Sequence, residues 1–128
     1  MFLKGLNETQ QKLFLGIARE LIEADDKISD NERTLINNLS AEMGQQELIR
    51  NPSDEVIRDF FPDKASRVAT MLELIGLSAC DGDFSAEEDK IITRLKNIFE
   101  MTDGQLETYR GWVKKLFEVQ AEAAEFFN

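Results

Sequence analysis

The chain has no histidine, one cysteine, two prolines, one tryptophan and one tyrosine in 128 residues. With Cys80 alone there is no internal disulfide. Without histidine there is neither a zinc site of the usual Cys and His kind nor a Cys-His nucleophilic pair. No apolar run approaches membrane-spanning length, and MFLKGLNETQ has no basic segment leading into a long apolar one. Position 2 is Phe2, so neither a signal peptide, a spanning helix nor a myristoyl group is expected. The seven glycines are scattered, which leaves no phosphate-cradling loop, and no G-x-S-x-G elbow occurs. Catalysis is not expected, and the cytoplasm is the simplest location.

Bases are scarce beside acids, 15 against 25, for a net charge of −10. Residues 1 to 64 carry 8 bases and 13 acids and residues 65 to 128 carry 7 and 12, so each half stands at −5. The charge therefore belongs to the body of the fold rather than to a tail. Phosphate binding needs a basic stripe, and none is present, which speaks against nucleic acid and against anionic lipid. Hard, oxygen-seeking cations remain compatible with this composition.

What the chain does have is 42% hydrophobic residues, enough for one globular domain. They recur in steps of three and four, as in Leu13, Ile17, Leu21, Ala24 and in Val68, Leu72, Ile75, Ala79. Leu35, Ile36, Leu39 and Met43 mark a further helix, and Ile91, Ile92, Leu95, Ile98 and Phe99 another. Leu106, Tyr109, Val113, Leu116 and Phe117 mark a long last one. Strand-like alternation is absent, and the pattern predicts an all-α bundle of six or seven helices. Start signals agree: Asn7 with Gln10, Ser29 with Glu32, Ser85 with Glu88 and Thr102 with Gln105 have capping-box spacing, and Asp63 precedes the helix that carries Val68. Pro52 and Pro62 bracket SDEVIRDFF, in which Ser53 can cap and Val56, Ile57, Phe60 and Phe61 can pack.

Shifted by 56 residues, the chain aligns with itself. Leu21/Leu77, Asp25/Asp81, Ser29/Ser85, Glu32/Glu88 and Leu39/Leu95 are identical pairs. Each copy reads as helix, acidic loop, capped helix, which predicts a pseudo-two-fold bundle. One domain over 1–128 follows, with repeat 1 at about 13–44, a connector at about 45–62, repeat 2 at about 66–101 and a C-terminal helix at about 103–125.

The acidic loops have two readings. In the first, Ser29 and Ser85 are caps, Glu32 and Glu88 reach back to the cap amides, Ile28 and Phe84 are hydrophobic staples, and the remaining acids sit well at a positive helix end. In the second, residues 81 to 89, with five acids and no base, are denser than capping requires. A divalent cation relieves that repulsion, Ca²⁺ or Mg²⁺ by ligand chemistry, and facing copies would bring Asp25, Glu32, Asp81 and Glu88 to one site. Neither loop is an EF-hand, since the sixth and twelfth places are Ala86 and Ile92 from Asp81, and Asp30 and Ile36 from Asp25.

ADDKISDNE at Ala24 and CDGDFSAEE at Cys80 resemble the doubled motif of the tellurite-resistance TerB-like family, across roughly residues 13 to 116. The resemblance implies an internally repeated, all-helical cytoplasmic domain. Its acidic cluster would hold a metal ion, and it would act in stress or tellurite resistance with membrane-associated partner proteins. The N-terminal domain of DjlA-type co-chaperones is similar in fold. Asp25, Glu32, Asp81, Gly82 and Glu88 match the motif, whereas Asp26 stands where the family has glycine. Two other functions stay open: an acidic interaction module whose loop acids only cap helices, and, at a distance, a metal-dependent hydrolase. Cys80, aligned with Ala24, reads as a small packing residue. Trp112, Phe117 and most apolar residues of the C-terminal stretch read as packing, while Phe126 and Phe127, where they do not fold back, suit a partner protein or a homodimer.

Overall fold

The computed structural model describes residues 2–24, 33–34, 37–38, 41, 49, 51–79 and 85–128. Among these, five α-helices follow a 3₁₀ turn at Leu3–Gly5: α1 (Glu8–Glu23), α2 (Asp54–Phe60), α3 (Lys64–Ala79), α4 (Ala86–Ile98) and α5 (Asp103–Glu125). The described residues contain no strand. Arg33, Thr34, Asn37, Asn38 and Ala41 are helical and exposed, the polar side of the amphipathic stretch expected there.

The helices begin where short polar side chains can satisfy free amides. Asn7, Ser85 and Thr102 close reciprocal capping boxes with Gln10, Glu88 and Gln105. Ser53 accepts from the Val56 amide. Asp63 accepts from the amide (3.2 Å) and the hydroxyl (2.7 Å) of Ser66. Hydrogen bonding to Ser66, side chain first, holds the Asp63 carboxyl below the ordinary carboxylate range. Helix α4 ends in a Schellman arrangement: the Glu100 amide donates to the Asn97 carbonyl and the Met101 amide to the Lys96 carbonyl. Glu100 takes the left-handed conformation (φ 57°) that this ending requires, and Thr102 then starts α5 at once.

Helix α3 is the centre. From Ser66 to Ala79 none of its residues is exposed, and it packs against α1, α4, α5 and the Leu3–Gly5 turn. Its only charges in that span are Arg67 and Glu73, and both are used. The Arg67 guanidinium donates to the Phe61 carbonyl (2.6 Å) and lies over the Phe99 ring, which meets Phe61 at 5.7 Å. Glu73 accepts from the Phe2 amide, and the Phe2 ring leans on Trp112 of α5. Of the sequence stripe Val68, Leu72, Ile75, Ala79 only Ile75 is buried, and the other three are half-buried. The fully buried residues of α3 are Thr70, Met71, Leu74 and Ile75. The Ile91, Ile92, Leu95, Ile98 and Phe99 stripe of α4 is buried as expected.

Two packing expectations differ. Phe60 is exposed: the two-turn α2 and its C-cap meet the core through Ile57 and Phe61 instead. Trp112 is also largely exposed: α5 meets the body through Leu106 and Val113, a quarter turn away. Phe126 and Phe127 stand clear of the core.

Candidate functional site

Of the four expected ligands, Asp25, Glu32 and Asp81 lie outside the described residues, as do Gly82, Cys80, Ile28, Phe84 and the Ser29 cap. Glu88 is described. It is the third residue of α4 and is buried, 5% exposed. Its Oε1 accepts from the Ser85 amide (3.2 Å), and its own amide donates to Ser85 Oγ (3.0 Å). The capping role read from the sequence is therefore present at this carboxylate. Among the described residues, no three His, Cys, Asp or Glu side chains gather in a way that would hold a metal ion.

The neighbouring acids divide their work. Asp89 pairs with Arg110 of α5, tying the start of α4 to the last helix. Glu87 instead lines a cavity of about 440 Å³, together with Lys90 and Ile91 of α4, Gly16, Arg19, Glu20, Glu23 and Ala24 of α1, and Asn51. Three carboxylates and two cations line it. Its geometry is fixed from below by Arg94, whose guanidinium reaches Glu20 (3.6 Å), Asp54 (2.7 Å) and the Pro52 carbonyl (3.0 Å). One side chain thus joins α4 to α1, to α2 and to the segment before it. Arg19 pairs with Glu23 one turn on (3.0 Å), and Glu20 Oε2 is buried without a hydrogen-bond partner among the described residues.

Sequence reasoning did not single out Arg19, Glu20, Glu23, Asn51 or Lys90. Arg19 and Glu23 carried only the i,i+4 spacing common to any helix surface, and the meeting of α1 with α4 is a tertiary event. The cavity does bring together the ends that matter. Ala24, the last described residue before Asp25, and Glu87, two residues into the helix that follows Asp81, face the same space.

The capping role makes a separable prediction. Glutamine accepts the same cap hydrogen bond, so Glu88→Gln should change unfolding stability by about 0.3 kcal/mol, whereas Glu88→Ala should cost about 1 kcal/mol. Denaturant titration of the two variants checks it, and equal losses would count against the cap as the source of the effect.

Compared with protein-family models, with curated proteins and with solved structures, the chain matches none of them.

Proposed function

We propose that this chain is a non-enzymatic, cytoplasmic protein of the TerB-like kind. In this reading it acts in stress or tellurite resistance alongside protein partners, and binds a divalent cation, Ca²⁺ or Mg²⁺, through Asp25, Glu32, Asp81 and Glu88. The observation that supports this most directly is the shared cavity: the end of α1 that leads into the first acidic segment and the start of α4 that follows the second line one space. Donors of this kind are all carboxylate oxygens, which suits a hard cation and not a thiophilic one. Binding by groups already needed for capping couples ion affinity to fold stability.

A second reading has its own support. Glu88 is engaged as a cap, and α5 presents exposed Trp112, Val119, Phe126 and Phe127, as an interaction module would.

Thermal unfolding of chelator-stripped protein decides between them. With Ca²⁺ or Mg²⁺ at about 100 times Kd, binding to the native state adds about 2.7 kcal/mol, a rise of several degrees in Tm. The Asp81→Asn/Glu88→Gln variant, which keeps the cap hydrogen bond, should lose that rise. If neither ion moves Tm beyond an ionic-strength control, the cation reading is wrong and the acids serve as caps.

A further inference from the structure

Helix α5 carries two apolar stripes: the body buries the first, and of the second it meets Trp112 through Phe2 and leaves Leu116 and Ala123 only half-buried. Leu106 and Val113 are buried, with Tyr109 and Phe117 packed beside them. The second stripe runs through Trp112, Leu116, Val119, Ala123 and Phe126, in steps of four, three, four and three. That average of 3.5 residues is the seam spacing of paired helices rather than the 3.6 of a single surface helix. Val119 is 58% and Phe126 83% exposed, so nothing among the described residues covers the far half of this seam.

The charges beside the seam say what would cover it. Between Trp112 and Phe127 the bases, Lys114 and Lys115, come first, and the acids, Glu118, Glu122 and Glu125, come after. The last turn, where the helix dipole favours bases, holds Glu122 and Glu125 and no base at all. An antiparallel neighbour with the same order supplies the missing cations, because its basic half lies along the acidic half. The segment stands at 2 − 3 = −1 although the whole chain stands at −10. Charges elsewhere on the body are screened beyond about 8 Å at physiological salt.

We propose that the neighbour is a second copy of this chain, paired antiparallel through α5 about Leu116 and Val119. In that register Trp112 packs on Ala123 of the second copy and Leu116 on its Val119. Each layer then matches a larger side chain to a smaller one, and each contact occurs twice, as a two-fold interface requires. Lys115 lies across from Glu122 of the second copy on the open edge of the seam. Both side chains are exposed in the single chain. The pairing uses neither the acidic loops nor the cavity and stands apart from the cation reading.

Sedimentation equilibrium on the full chain tests it. The wild type should show a reversible monomer–dimer equilibrium. Val119→Asp should weaken association by about 100-fold, with helical content preserved because Val119 is exposed in the monomer. Lys115→Glu and Glu122→Lys should each weaken it by about tenfold, by setting like charges across the seam twice over. The Lys115→Glu/Glu122→Lys double variant should recover to within about threefold of wild type, since the reversed pair is again complementary. A wild type that stays monomeric at every attainable concentration overturns the proposal. So does a dimer indifferent to Val119→Asp, or a double variant no tighter than the single ones.

Discussion

Phe14→Ala is expected to lower the free energy of unfolding by about 3–5 kcal/mol. Phe14 is fully buried in α1, within the cluster that contains Leu13, Ile17, Leu21, Leu74 and Ile92. Its removal loses the transfer free energy of a ring and leaves a cavity that the close-packed core collapses only partly to fill. Domains of this size have about 5–15 kcal/mol in total, so the loss is a large fraction of it. A fall in Tm on the order of 10–20 °C should accompany it. Trp112→Ala on the exposed side of α5 is the internal comparison and should cost far less. Equal losses at the two positions would mean that the burial described for α1 is wrong.

Arg94→Ala should cost about 1–3 kcal/mol, and the loss should show where α4 meets α1. Only a third of this side chain is exposed, and three groups depend on it: Glu20, Asp54 and the Pro52 carbonyl. A single exposed ion pair is worth little, but truncation here takes the cation from Glu20 Oε1, whose neighbour Oε2 is already buried without a hydrogen-bond partner among the described residues, and the donor from the Pro52 carbonyl. Arg94→Lys keeps the charge and loses the forked geometry, so it should fall between wild type and alanine. Native-state hydrogen exchange gives the spatial reading: amides in the first two turns of α4 and the last two of α1 should lose protection in Arg94→Ala, and those in α5 should not. Uniform loss across the molecule would make Arg94 a general stabiliser rather than the tie at the cavity.

Acid should weaken the fold at two surface positions. Ser66 holds the Asp63 carboxyl below its ordinary range and Lys96 does the same for Asp103. A lowered folded pKa stabilises at pH values above the unfolded one, and that contribution disappears as pH falls through the folded value. Both sites are fully solvent-facing, and their share is accordingly small.

Local chemistry was legible in the sequence wherever the cause was local. Asn7, Ser53, Asp63, Ser85 and Thr102 each start a helix, because a side-chain oxygen three residues from an amide needs no tertiary partner to bond it. The stripes of α1 and α4 were readable for a similar reason: half-buried helices must carry a 3.6-residue pattern. The helical class, the lack of a spanning helix among the described residues and a capping role for Glu88 could be stated from residues alone.

The tertiary structure decided the rest. Helix α3 has a stripe like any other, and only its packing shows that it meets α1, α4, α5 and the first turn with no residue exposed from Ser66 to Ala79, since a pattern of apolar residues does not say how many neighbours a helix will have. Phe60 and Trp112 have the chemistry of core residues and face outward, because burial depends on which side of a helix meets the body. The cavity joins residues some 70 positions apart, Gly16 to Ala24 with Glu87 to Ile91, and the Arg94 tie joins three elements. No spacing rule reaches across such intervals, and it is the meeting of α1 with α4 that makes them neighbours.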